Sequence, residues 1–165
     1  ATPCATSGGP TTPSGENGEL LELAARRADR LAVPHVGARP RKRLAVVTCM
    51  DARIDPLRMF GLRRGDAHVL RNAGGLVTDD VVRSLHVSQT ALGTDRIVVV
   101  MHEGCGLKVA PGEASPEALD LGAFDDLERT LRDGVERLRT SPLIQASEIT
   151  GCVFDPETGA VRAVA

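Results

Sequence analysis

The sequence predicts an α/β fold with a central, mostly parallel β-sheet flanked by helices. Three short apolar runs rich in β-branched residues are typical of strands that are covered on both faces. They occupy residues 44–50, 68–72 and 96–102. A helix-type segment separates the second run from the third, as a crossover between parallel strands requires. This order of segments predicts a βαβ arrangement.

The composition restricts the class of protein. The chain has 165 residues, of which 42% are hydrophobic and 25% charged, and its net charge is −2. This is typical of one globular domain. A nearly neutral chain with only three aromatic residues offers little to a nucleic acid, and no apolar run approaches the roughly 20 residues that span a bilayer. We therefore expect no nucleic-acid partner, no membrane partner and, without a signal-peptide pattern, a cytoplasmic location.

The N-terminal region divides into a tail and a helix. Residues 1–18 are mostly Thr, Pro, Ser, Gly and Ala, a composition typical of a flexible tail, so we expect a single domain over residues 19–165. Residues 19–32 place Leu20, Leu23 and Leu31 on one stripe, and Pro34 follows. We expect this amphipathic helix to pack on a partner subunit.

The remaining segments complete the predicted sheet. Residues 78–93 predict the crossover helix, which Thr78 or Asp79 can cap and which Gly93 can end. Residues 108–119 read as a loop, and residues 120–141 have apolar positions at helical spacing. The C-terminal residues predict two strands joined by a turn at residues 155–159, which could close one edge of the sheet.

Reactive side chains follow two of the predicted strands. Cys49, Asp51 and Arg53 end the first, and His102 and Cys105 end the third. Because the carboxyl ends of parallel strands meet at one edge of a sheet, we expect these side chains to converge. Two thiolates and one imidazole are ligands that zinc prefers, and three protein ligands leave a fourth position open, as catalytic zinc sites do.

The four motifs CMDAR (49–53), RNAGG (71–75), DDVVRSL (79–85) and HxxCG (102–106), in this order, resemble the β-class carbonic anhydrases. The resemblance implies one Zn²⁺ per chain bound by Cys49, His102 and Cys105, a catalytic dyad of Asp51 and Arg53, and a homodimer or homotetramer. It implies the reversible hydration of carbon dioxide to bicarbonate and a proton by zinc-bound hydroxide. In this family the aspartate can also leave the arginine and bind zinc, so Asp51 is a further candidate ligand.

Alternative functions remain open at this point. Relatives on the same fold hydrolyse carbon disulfide or carbonyl sulfide, and a zinc-binding homologue without turnover is a second alternative. A thiol redox protein is a poorer one, because the chain has no Cys-x-x-Cys. Glu103 stands where the family more often has a small hydroxyl residue. We expect no catalytic role for Arg71 or Asn72, and we expect Cys152 to lie in the core and Cys4 to be inert in the tail.

Overall fold

The computed structural model describes residues 15–109 and 121–165, which divide into two units, one ending at His35 and one beginning at Val36. Most of the loop predicted at 108–119, and residues 1–14 of the predicted tail with Cys4, lie outside the described residues. No helix in the described part of the chain is long and apolar enough to cross a bilayer.

The first unit contains two helices, α1 (Glu16–Arg26) and α2 (Ala28–Leu31), where the sequence predicts one. The break lies at Arg27, whose φ of −104° and ψ of 7° are not helical and whose N–H bonds to Ala24 O in a tighter turn. Helix α1 also begins at Glu16, within the segment predicted as tail. Packing of this region on a partner subunit stays a prediction.

The second unit is built on a five-stranded sheet in the order β2-β1-β3-β4-β5. Its strands are β1 (Leu44–Cys49), β2 (Ala67–Asn72), β3 (Arg96–His102), β4 (Glu148–Phe154) and β5 (Val161–Ala163). The first four are parallel and β5 is antiparallel to β4, so the predicted fold class is confirmed, as is the closing strand at the C-terminus.

The described residues of this unit form three α-helices: α3 (Pro56–Met59), α4 (Asp79–Thr90) and α5 (Leu127–Thr140). Thr78 caps α4, as predicted, by accepting a hydrogen bond from Val81 N–H. Helix α5 begins at Leu127, later than its apolar pattern suggests, because Asp126 caps it by accepting from Arg129 N–H. Phe124 therefore precedes the helix, although it is buried.

The two faces of the sheet are packed unequally. Helices α4 and α5 contribute Leu85, Leu131 and Val135 to the main hydrophobic cluster, which also contains the inward side chains of β1 and β3. The opposite face has a smaller buried cluster of Val46, Val100 and Cys152. The strand ends beyond the main cluster carry the polar residues that the sequence marks as candidates.

Candidate metal centre

The ends of two neighbouring strands bring the candidate ligands together. Cys49 is the last residue of β1 and His102 the last of β3, and Cys105 lies in the turn that follows. Their ligand atoms lie within 4.8 Å of one another. The three residues are 5%, 1% and 7% exposed. Parallel pairing of β1 with β3 thus produces the convergence that the sequence predicts.

The ring of His102 is oriented by one hydrogen bond. Its Nδ1 lies 2.9 Å from the carbonyl oxygen of Glu103. Since a carbonyl only accepts, Nδ1 carries the proton and Nε2 keeps a lone pair. Among the described residues Nε2 has no hydrogen-bond partner, although it is buried. A buried nitrogen without a partner is costly, and a metal ion at this point would satisfy it, which fits a zinc site.

The two thiols favour a cation between them. Burial raises the pKa of Cys105, and the neighbouring Cys49 raises it further, while a hydrogen bond from Leu107 N–H opposes both effects. The pocket by itself therefore keeps Cys105 protonated. A divalent cation reverses this preference, because it stabilises thiolates directly. The donor set is thus suited to zinc rather than to a hard cation that prefers oxygen ligands.

The carboxylate of Asp51 is held by Arg53 through three hydrogen bonds. The backbone N–H and Nε of Arg53 donate to Asp51 Oδ1 at 2.9 and 3.0 Å, and Nη2 donates to Oδ2 at 2.7 Å. The side-chain bonds from Arg53 lower the pKa of Asp51 most, and the backbone bond comes second. Together they hold that pKa well below its usual range. Asp51 is therefore an ionised acceptor at neutral pH.

This pair also faces the candidate ligands. Asp51 Oδ2 lies 3.9 Å from His102 Nε2, and Arg53 Nη2 donates to Gly104 O at 3.1 Å, which links the loops after β1 and β3. In this structure the carboxylate faces Arg53 and the group of three ligands does not include it. The roles of Asp51 as catalytic residue and as zinc ligand both stay predictions.

The last two residues of β2 hold the Cys49 loop in place, a role that the sequence does not reveal. Asn72 O accepts from Met50 N–H at 2.8 Å, which extends the pairing of β1 with β2. Arg71 donates from Nε to Cys49 O at 3.0 Å and from Nη2 to Asp51 O at 2.7 Å. In the sequence, only the position of Arg71 and Asn72 at the end of the neighbouring strand points to this role.

Gly75 allows this segment to lie against the strand ends. It follows β2 in a short 3₁₀ turn with a φ of +68°, and a Cβ there would lie 2.7 Å from Val100 O and 3.0 Å from Cys49 N. Any larger residue would push the turn away from β1 and β3. Gly75 therefore lets the RNAGG segment approach the ends of β1 and β3 closely.

Two other candidates lie outside the ligand group. Glu103 is directed towards Arg162, with 3.5 Å between Oε1 and Nη2, and Arg162 also pairs with Glu128. Cys152 is buried on the opposite face of the sheet, as expected for a core residue, and burial raises its pKa to about 11.

Two buried cysteines and a histidine at parallel strand ends, beside a carboxylate–guanidinium pair, form a group that could hold a metal ion, and three protein ligands would leave a fourth position open, as in catalytic zinc sites. The family model described as carbonic anhydrase matches residues 44–141. Beta-carbonic anhydrase 1 of Mycobacterium tuberculosis is 38% identical over 136 residues, covering 76% of this chain and 83% of that protein.

Solved structures agree with the sequence matches. The crystal structure of the carbonic anhydrase from Streptococcus mutans has a TM-score of 0.79 and 36% identity, covering 93% of this chain and 99% of that one. A further sequence match is the carbon disulfide hydrolase of Acidianus sp., which is 33% identical over 181 residues, covering 87% of this chain and 88% of that protein. The chain belongs to the β-class carbonic anhydrase family, whose metal is zinc, and its Cys49–His102–Cys105 group could hold that ion.

Proposed function

We propose that this chain catalyses the reversible hydration of carbon dioxide to bicarbonate and a proton. In this proposal Cys49, His102 and Cys105 bind one Zn²⁺, and Asp51 with Arg53 forms the catalytic pair. The observation that carries it is the ionised carboxylate of Asp51, held by Arg53, 3.9 Å from the buried Nε2 of His102, which has no hydrogen-bond partner among the described residues. A site that only stored a metal would not need such a carboxylate.

Zn²⁺ bound here would supply a Lewis acid that lowers the pKa of a water molecule and so provides a nucleophile near neutral pH. The two thiolates of this chain cancel the formal charge of that ion. Because a three-histidine site leaves that charge uncancelled, we expect less acidification here and an activity that rises towards mildly alkaline pH.

Asp51 would act by orientation. Its carboxylate only accepts hydrogen bonds while it is ionised, and Arg53 keeps it ionised and fixes its plane. It can therefore accept a hydrogen bond from a reacting water molecule and direct the oxygen lone pair at the substrate carbon. Carbon dioxide has no charge to bind, so the rate depends on this orientation and on the exclusion of bulk water.

A second candidate activity is the hydrolysis of carbon disulfide or carbonyl sulfide on the same site. It is favoured by the match to the Acidianus carbon disulfide hydrolase, which covers more of this chain than the match to the M. tuberculosis protein does. A zinc-binding homologue without turnover is less well supported, since it has no use for the Asp51–Arg53 geometry.

Parallel assays distinguish these activities. Stopped-flow hydration of carbon dioxide and sulfide release from the two sulfur compounds would be measured on the same zinc-loaded protein. We expect hydration to be the faster reaction, and Asp51→Ala to lower its kcat/KM about 100-fold with zinc retained. Faster sulfide release would favour the second candidate, and an unchanged rate in Asp51→Ala would contradict the proposed mechanism.

The assembly and its location are part of the proposal. We infer a cytoplasmic homodimer or homotetramer, with residues 19–165 as one zinc domain and the helical region of α1 and α2 packed on a partner subunit. Light scattering of the zinc-loaded protein would give the mass of the assembly. A monomer of 17.4 kDa at micromolar concentration would contradict it.

A further inference from the structure

The loop that carries Cys49 and Asp51 is supported from the side by strand β2. Pairing of β1 with β2 runs to the end of both strands, where Thr48 lies opposite Arg71 and Cys49 opposite Asn72. One further bond, from Met50 N–H to Asn72 O at 2.8 Å, continues it into the loop. Strand β2 is at the edge of the sheet, on the side of β1 opposite β3.

The side chain of Arg71 extends this support beyond the strand. Its Nε lies 3.0 Å from Cys49 O and its Nη2 lies 2.7 Å from Asp51 O. Both donors belong to one planar, rigid guanidinium, so the two carbonyl oxygens are held at a set separation. Those carbonyls belong to a candidate ligand, Cys49, and to the candidate catalytic aspartate, Asp51.

We propose that Arg71 is a positioning residue of the metal centre, which fixes the backbone of Cys49 and Asp51 so that the Cys49 sulfur and the Asp51 carboxylate converge. The inference rests on the proposed function for its effect on activity. Two arginines then have different roles. Arg53 holds the side chain of Asp51, and Arg71 holds the main chain on both sides of Met50.

Arg71 is poorly placed for a general structural role. The residue is exposed and lies on the edge strand, so its truncation opens no cavity in either hydrophobic cluster. The backbone pairing of β1 with β2 does not depend on its side chain. Its loss should therefore leave the sheet intact and relax only the loop that follows β1.

Arg96 offers a matched control. It is also exposed, and its Nη2 donates to a backbone carbonyl, that of Lys42, at 2.5 Å. It lies at the start of β3, at the opposite end of the sheet from the candidate ligands. Truncation of either arginine therefore removes side-chain bonds to backbone carbonyls, but only Arg71 bonds to the Cys49 loop.

The first measurement is independent of activity. Wild-type chain, Arg71→Ala and Arg96→Ala would be loaded with Co²⁺, whose visible absorption depends on coordination geometry, and metal affinity would be measured by competition with a chelator. We expect Arg71→Ala to change the spectrum and weaken binding about 10- to 100-fold, as losses of groups that orient metal ligands do. Arg96→Ala should match the wild-type chain, and both variants should have similar melting temperatures.

A wild-type spectrum and affinity in Arg71→Ala would overturn the inference, as would equal changes in Arg96→Ala. If Arg71→Ala does not fold, Arg71→Lys decides. Lys places a single nitrogen where Arg places two, so a smaller change of the same kind supports the inference, and a wild-type spectrum overturns it.

The second measurement uses activity. In zinc-loaded Arg71→Ala we expect the loss to fall on kcat, about 10- to 100-fold, with KM changed less than about threefold, because Arg71 orients the site and does not bind substrate. A loss confined to KM would overturn the inference. If the wild-type chain hydrates no carbon dioxide, the proposed function fails, while the Co²⁺ measurement still decides the role of Arg71.

Discussion

Cys49 and Cys152 are both buried cysteines of one sheet, in strands β1 and β4, yet their surroundings differ. They are 5% and 4% exposed. Cys49 ends β1 and lies beside His102 and Cys105, whereas Cys152 lies within β4 among Val46 and Val100 on the opposite face. Burial raises the pKa of Cys152 to about 11, because it disfavours the charged thiolate.

The difference shows that burial does not make a cysteine functional. Cys152 fills space as a small apolar residue. Cys49 is a candidate metal ligand because it lies at a strand end, where two other donors converge. Removing the sulfur of Cys49 should therefore abolish metal binding, whereas removing the sulfur of Cys152 should only lower stability. The predictions below test this contrast, beginning with the largest expected effect.

The largest effect is expected from removal of a ligand. Cys49→Ser should lower the zinc content from about one ion per chain to almost none, because a hydroxyl binds zinc far more weakly than a thiolate does. Hydration activity should fall about 1000-fold or more with it. Metal analysis by mass spectrometry and stopped-flow assays measure both.

Cys152→Ala is the matched control for this variant. It also removes one buried sulfur, but we expect it to keep its zinc and most of its activity while losing some stability to the small cavity. Zinc loss in both variants would mean that the metal depends on the fold as a whole and not on Cys49.

The next effect concerns the dyad beside the ligands. Arg53→Ala should lower kcat/KM about 100-fold and leave zinc bound, because it frees the Asp51 carboxylate without removing a ligand. Arg53→Lys should recover only part of the loss, since an ammonium cannot make the paired bonds to Oδ1 and Oδ2.

Arg83 provides the comparison for this prediction. It also pairs with a nearby aspartate, Asp80, three positions away instead of two, but on the exposed surface of α4. Arg83→Ala should change the activity less than twofold, as expected for an exposed ion pair. Equal losses in the Arg53 and Arg83 variants would contradict a specific role for the dyad.

The sequence predicts this site better than it predicts the helices around it. Continuous apolar runs identify β1 and β3, and reactive residues at or just beyond their ends mark Cys49, His102 and Cys105 as candidate ligands, because parallel strands bring their carboxyl ends together. The break at Arg27 depends on one residue's backbone angles, which the helical periodicity around it does not reveal. The late start of α5 depends on whether Asp126 acts as a cap.

Arg71 shows a different limit. Its two bonds to backbone carbonyls depend on the register between β1 and β2 and on the place of β2 at the sheet edge. Neither follows from spacing along the chain. A side chain that acts on another residue's backbone leaves no pattern in a single sequence, so its role emerged only with the structure.

A moderate effect on stability is expected at Gly75, next to the site. In Gly75→Ala the new Cβ would meet Val100 O at 2.7 Å, and the φ of +68° is unfavourable for alanine. We expect a loss of about 2 to 4 kcal/mol in the free energy of unfolding. Gly93 has a φ of +75° but open space around it, so Gly93→Ala should lose only about 1 kcal/mol. Urea unfolding of both variants separates crowding from backbone strain, and equal losses would contradict the close approach.

The smallest effect returns to Cys152 and appears only at alkaline pH. Because burial raises its pKa from an ordinary value near 9 to about 11, the unfolded chain releases this proton at lower pH than the folded chain does. The contribution of Cys152 to stability is therefore complete below about pH 9 and is lost as the pH rises towards 11, with roughly 2 kcal/mol lost at pH 11. Zinc-bound thiolates would take up protons when the chain unfolds and releases the metal, but the wild-type chain and the variant share this contribution. The chain has no tyrosine, and its two lysines are shared by wild type and variant.

Urea unfolding at pH 8, 9, 10 and 11 should give a steeper decline in the free energy of unfolding for the wild-type chain than for Cys152→Ala. Parallel declines would mean that Cys152 does not titrate differently on folding, and the contrast with Cys49 would then rest on the metal alone.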